Sequence, residues 1–331
     1  MSFERKLMEA FKRDQAELEC PPSLDERIMA DYGRMAMDGR RNIHMKNKRG
    51  LSRVAIIAAI IAVLTGFGYA GTQLLFSDSL GKYSIRMQSN EALTISPEAL
   101  DNARASLKAV QDELAPGTTA VVYLPEVFSE YRGAPLPIGV ASPDWIAGAL
   151  EWRSVLEEKG VTETLPDNLL GGAYTLKAGA EGSPFHVIMG LDAADSLEEM
   201  KDEHHQTGGS EPLWRLTEPS AAGPESYYTS VYKDVNDEAL YYTWQIISDA
   251  SIKTEALTSP STVYEELDLD GHKAHYTKND QSLFGESNVL QGIMWMEEKE
   301  GETVVHHVES DSASMTKERL VEAAAGLFLF H

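Results

Sequence analysis

The chain has 331 residues, with 29 Lys+Arg against 52 Asp+Glu and a single cysteine, Cys20. That length holds two or so folded units, and one thiol excludes both a disulfide framework and zinc sites built on thiolates. Charge is split unevenly: residues 1–53 hold 12 bases and 9 acids (net +3), residues 54–77 hold neither, and the rest holds 17 bases and 43 acids (net −26). So acidic a C-terminal part argues against nucleic acid as its partner, since phosphate contacts need Lys and Arg.

Residues 1–50 read as a short helical segment. Phe3, Leu7, Met8, Phe11 and Leu18 recur at helical spacing with charge between them. After Cys20-Pro21-Pro22, Ser23 and Glu26 form a capping box; Leu24, Ile28, Tyr32 and Met35 follow as a second stripe, and Gly39 offers a stop. Two such helices bury little by themselves. They fold on each other as a hairpin, or form a partly disordered tail, or dock in a cytosolic partner's groove. Phe3, Leu7, Phe11, Leu24, Ile28 and Tyr32 are the candidate partner-binding residues.

Seven bases lie between Arg34 and Arg53, against one acid, Asp38. The run Val54–Phe76 then has 23 uncharged residues, about 34 Å as a helix and enough for a bilayer core. Its apolar residues fill every face, and the basic cluster before it follows the positive-inside pattern. A cleavable signal is the rival, with Gly68 and Ala70 as a small-x-small site, but the charged preface is far longer than a signal's n-region. The expectation is one transmembrane helix over 54–76, with the N-terminus cytoplasmic, the lipid bilayer as a partner and the C-terminal domain extracellular. The basic cluster is read as merely fixing that orientation, with contact to anionic lipid heads as the alternative.

Residues 77–96 read as a linker and 97–331 as an α+β domain. Ser96-Pro97 caps a helix with Leu100, Ala103, Leu107, Val110 and Leu114 inward, ending at Pro116-Gly117. TAVVYLP is a strand. Ser142-Pro143 repeats the cap signal, giving a second helix with Ile146, Ala149, Leu150 and Leu156 inward. LDAADSLEEMKDEHH is a third, acidic helix. From about Tyr227 the period becomes two, and Leu240, Tyr242, Trp244 and Ile246 share a strand face. Hairpins turn at Asp270-Gly271, suited to type I′, and near Glu300-Gly301. A final helix is capped by Thr316, with Leu320, Ala324 and Leu327 inward. Helices mixed with antiparallel hairpins define α+β.

Chemistry is sparse. Glu266, Asp268, Asp270 and Gly271 imitate the start of an EF-hand loop, but Thr277 stands where a bidentate Glu is needed, so a hairpin turn is the simpler reading. His204-His205 and His306-His307 lack spaced carboxylate or Cys partners and read as exposed polar residues. There is no nucleophile elbow, His-Glu-x-x-His, P-loop or dinucleotide fingerprint. The expectation is no catalytic, metal or cofactor site, and a protein that is not an enzyme.

LTSPSTVYEELDLDGHKAHYT, VLQGIMWMEEKEGETVVHHVES and MTKERLVEAAAGL resemble the DUF4367 family of exported bacterial domains over about 225–331. TLPDNLLGGAYTL (164–176) is similar to the entry strand of such domains. The whole plan also resembles membrane-bound anti-sigma factors of Gram-positive bacteria, which implies that residues 1–50 hold an extracytoplasmic-function sigma factor and that the outer domain senses envelope state. The zinc-binding anti-sigma motif is absent, since Cys20 stands alone, so that contact would be zinc-free. The alternative is a tethered binding or structural domain with no sigma-factor role; a tethered hydrolase is a third reading.

Overall fold

The computed structural model describes residues 72–130, 138–161, 165–185, 192–209, 211–217, 225–248 and 250–328. The chain begins there with strands β1 (Thr72–Leu80) and β2 (Tyr83–Asn90), then helix α1 (Pro97–Glu113), β3 (Thr118–Tyr123), the short α2 (Pro125–Glu130), β4 (Ile138–Ser142), β5 (Ile146–Ala147) and α3 (Ala149–Glu158). Next come β6 (Asn168–Leu169), β7 (Tyr174–Glu181), α4 (Asp192–Thr207) and β8 (Leu213–Leu216). The last part is β9 (Glu225–Lys233), β10 (Ala239–Ile247), β11 (Ile252–Thr258), β12 (Val263–Leu269), β13 (His272–Asn279), β14 (Leu290–Lys299), β15 (Glu302–Ser310) and α5 (Lys317–Phe328).

Three sheets organise these elements. The large one runs β12-β13-β14-β15-β10-β9-β7-β5, with β6 on β7, and its pairings are antiparallel. One face carries Tyr232, Tyr242, Trp244, Ile293, Trp295 and Val308 into the main core, closed by Trp152 and Leu156 of α3 and by Leu320, Ala324 and Leu327 of α5. The opposite face meets a small sheet, β1-β2-β11, where Phe76, Tyr83, Ile85 and Ile252 pack on Ile247, Met294 and Val305. The third sheet, β4-β3-β8, lies between two helices: Ala120 and Val122 face α1, while Val121 and Tyr123 face Leu197 and Met200 of α4.

Strands dominate, which corrects the expected α+β domain with its transmembrane helix. Among the described residues no helix is long and apolar enough to cross a membrane. Thr72–Phe76, the end of the expected span, is strand instead, and 54–71 lie outside the described residues. The expected linker is also strand: Phe76, Tyr83 and Ile85 alternate inward, and a hairpin that buries them replaces loose chain. The helix expected from Ser142-Pro143 fails as well. Ile138–Val140 pair with β3 and bury there, and the helix starts only at Ala149, behind Gly148 at φ 97°. Leu150, expected inside, is 77% exposed.

Where a cap led into an unbroken amphipathic run, the reading holds. Ser96 Oγ accepts from the Ala99 N–H at 3.3 Å and Pro97 opens α1, whose Leu100, Ala103, Leu107 and Val110 are buried. Thr316 Oγ1 accepts from the Arg319 N–H ahead of α5. Asp270-Gly271 (φ 55° and 89°) and Glu300-Gly301 (φ 52° and 87°) have the double positive φ of type I′ turns.

Residues 280–289 form the joint between the third sheet's lobe and the large sheet. Leu283 and Phe284 pack into the core under α1, and the Arg104 guanidinium donates to the carbonyls of Ser282 (2.9 Å) and Gly285 (2.8 Å). Gly285 has φ 90°, and a side chain there would run into Asp311, whose carboxylate accepts from the Glu286 N–H at 2.8 Å. Arg104→Ala leaves those carbonyls without their donor, at about 1–3 kcal/mol. The expected result is faster amide exchange across 280–289 with β10 unaffected; uniform exchange across both would contradict it.

Candidate functional site

The most organised polar group lies where β1 meets the large sheet. Alternation along β1 puts Phe76 and Asp78 on the face turned to β13, and His275 in β13 is 1% exposed beneath them. His275 Nε2 lies 2.7 Å from Asp78 Oδ2, and Nδ1 lies 3.1 Å from the Tyr264 hydroxyl of β12. An ionised carboxylate only accepts, so Nε2 carries the hydrogen and Nδ1 receives the phenol's. Phe76 stacks on the imidazole at 4.2 Å and 11°, and on Tyr264 at 5.0 Å. Lys273 completes the cluster, 3.4 Å from Asp78 and 3.3 Å from Glu266.

The electrostatics follow from that geometry. Burial pushes the His275 pKa down more than Asp78 lifts it, so the ring is neutral at neutral pH. Burial alone would raise Asp78, but the bonds from His275 and the Ser79 N–H, with the Lys273 charge, hold it below its ordinary value. The groups bonded to this histidine are a carboxylate from β1 and a phenol from β12 whose own pKa is raised by burial. The arrangement is built to hold two elements together.

A second histidine runs through the main core. His306 of β15 is fully buried and stacks on Trp295 at 4.7 Å and 7°. Its Nδ1 is 2.9 Å from the Tyr242 hydroxyl, and its Nε2 is 3.7 Å from Glu297 Oε2. Glu297 also meets Lys299 at 3.0 Å, which carries the network to the surface. Burial would raise the Glu297 carboxyl; His306 and Lys299 overcome it and hold the group well below the carboxylate range.

The turn between β1 and β2 is tied down separately. The Lys82 N–H donates to Thr303 Oγ1 at 2.8 Å, and its ammonium donates to the carbonyls of Gly301 (2.8 Å) and Ser248. A cleft of about 610 Å³ lies apart from all this, lined by Asn168, Leu170, Asp270, Glu322 and Gly326 among others.

The expected partner-binding residues Phe3, Leu7, Phe11, Leu24, Ile28 and Tyr32 lie outside the described residues. The reading of His306-His307 as exposed is corrected: both are buried, because β15 is a central strand covered on both faces. His204 and His205 close α4, the first half-buried and the second exposed. The EF-hand imitation is a hairpin turn in which Asp268 Oδ1 accepts from the Gly271 N–H at 2.9 Å. Sequence reasoning missed Asp78, Lys82, His275 and Glu297. Nothing local in the sequence marked His275 or Asp78. No family model, curated protein or solved structure matches this chain.

Proposed function

We propose that this chain is a membrane-attached regulator of the anti-sigma type. Residues 1–50 hold an extracytoplasmic-function sigma factor in the cytoplasm. The β-rich domain lies outside and responds to envelope state, attached through the uncharged run that precedes Thr72. The observation that carries the reading is the position of β1: it follows that run with no spacer and is fixed into the domain by Phe76, Asp78 and the Lys82 turn. A rearrangement of the domain would therefore reach the N-terminal segments through this strand. The basic cluster before the run, the two apolar stripes and the resemblance to anti-sigma factors support the same reading.

Cross-linked capture with the full chain tests it. A sigma factor is expected in the eluate, and Phe11→Asp or Ile28→Asp, each placing a carboxylate on an apolar stripe, is expected to reduce its recovery at least about tenfold. Recovery of no transcription regulator, or recovery unaffected by both substitutions, would sink the reading.

A further inference from the structure

The small sheet is held to the large one by two unlike attachments. At the turn, Lys82 reaches backbone carbonyls and a hydroxyl, acceptors that do not titrate. Along the strand, Asp78 meets Lys273 at 3.4 Å and the His275–Tyr264 row, and both bonds of His275 depend on its protonation state. On the N-terminal side of Asp78, β1 carries a register shift at Leu74/Phe76, a local break in its pairing with β2.

We propose that the Asp78–His275 contact is an acid-releasable latch: as the outside acidifies, the stretch Thr72–Asp78 of β1 loosens from β13 and pivots on the Lys82 turn. The proposal rests on the regulator reading for its biological meaning, and supplies the signal that reading leaves open.

At neutral pH each polar atom of the row is matched: the phenol donates to Nδ1, and Nε2–H donates to a carboxylate. A proton on Nδ1 turns that acceptor into a donor and forces the phenol to reverse. It also places a cation in a site that is 1% exposed. The groups facing this ring are Asp78 from β1, Lys273 from its own strand, and Tyr264 and Glu266 from β12; β14 places the uncharged Met294 opposite it. Lys273 repels the added charge, while Asp78 and Glu266 attract it less than burial opposes it.

The sign follows. Folded His275 takes its proton at lower pH than the unfolded ring, whose pKa is about 6.5, so docking weakens as pH falls below that value. Asp78, also lowered, contributes above the ordinary carboxylate range and is lost only in stronger acid, in the same direction. The His275 step therefore comes first, inside the range an envelope meets.

Hydrogen exchange on the full-length chain reads this directly, with rates corrected for intrinsic pH dependence and α1 as the internal reference. Amides of β1 are expected to lose about tenfold protection relative to α1 between about pH 7.5 and 5.5. His275→Gln keeps a donor for Asp78 but takes up no proton, and is expected to hold β1 protected at both values. If His275→Gln disturbs α1 as well, Asp78→Asn carries the test: β1 should then exchange fast at both pH values. Unchanged protection in the wild type, or the wild-type pH dependence surviving in either variant, would overturn the latch. Exchange is read on the chain alone, so failure to capture a sigma factor leaves this readout standing, and a flat profile leaves the capture standing.

Discussion

Trp152→Ala is expected to destabilise the β-rich domain by about 3–5 kcal/mol, the usual range for emptying a buried tryptophan site. Trp152 is fully buried, sits against β7 and donates its indole N–H to Ser230 Oγ at 2.7 Å, a hydroxyl that is itself buried. The substitution therefore opens a cavity and strands a polar group together. The contact is closer than ordinary packing, because Gly179 leaves room for the ring: a Cβ there would lie inside the indole. Gly179→Ala should be damaging for that reason, yet Trp152→Ala should remove the collision. The double variant is thus expected to be scarcely less stable than Trp152→Ala alone, a coupling that denaturant midpoints of the four proteins would measure. Additive losses would show that Gly179 is needed for something other than the tryptophan.

Glu297→Ala carries the second large effect, about 1–3 kcal/mol, since it removes the carboxylate that meets Lys299 at 3.0 Å and faces buried His306. The folded carboxyl is held below its unfolded value, so its stabilisation is present above the ordinary carboxylate pKa and is lost as pH falls through the folded one. The stability of the wild type is accordingly expected to drop in acid with a contribution from this group, and Glu297→Ala to show a shallower acid dependence. A parallel decline in both proteins, followed by denaturant titration at a series of pH values, would remove Glu297 from the account. Lys299 and the indole stack on His306 are unchanged by the substitution, which isolates the carboxylate.

Much of the domain's second half was readable because alternation there is uninterrupted. Leu240, Tyr242, Trp244 and Ile246 do share the face of β10 that meets the main core. The β12–β13 and β14–β15 turns announced themselves by Asp-Gly and Glu-Gly. Reading failed where two signals overlapped. Thr72–Phe76 is apolar and continuous with an uncharged run, and a run without polar residues shows neither a period of two nor one of 3.6. Ser142-Pro143 has the same cap signal as Ser96-Pro97, but Gly148 follows it within two turns, and tertiary pairing of Ile146-Ala147 with β7 outweighs the local preference. The junction was hidden for another reason. Asp78 and His275 are 197 residues apart, and no local pattern reports a bond of that separation. Likewise, His306 and His307 look like paired surface residues until β15 is seen at the centre of a sheet covered on both faces.

In the proposed regulator, β1 connects the state of the β-rich domain to a partner held by residues 1–50. Capture of the sigma factor by full-length chains carrying wild-type Asp78 or Asp78→Ala, at neutral pH and with residues 1–71 untouched, tests it most directly. The substitution is expected to lower recovery several-fold, roughly as losing a buried charged hydrogen bond would shift a two-state equilibrium, while the domain's thermal transition persists. Equal recovery from the two chains would contradict it.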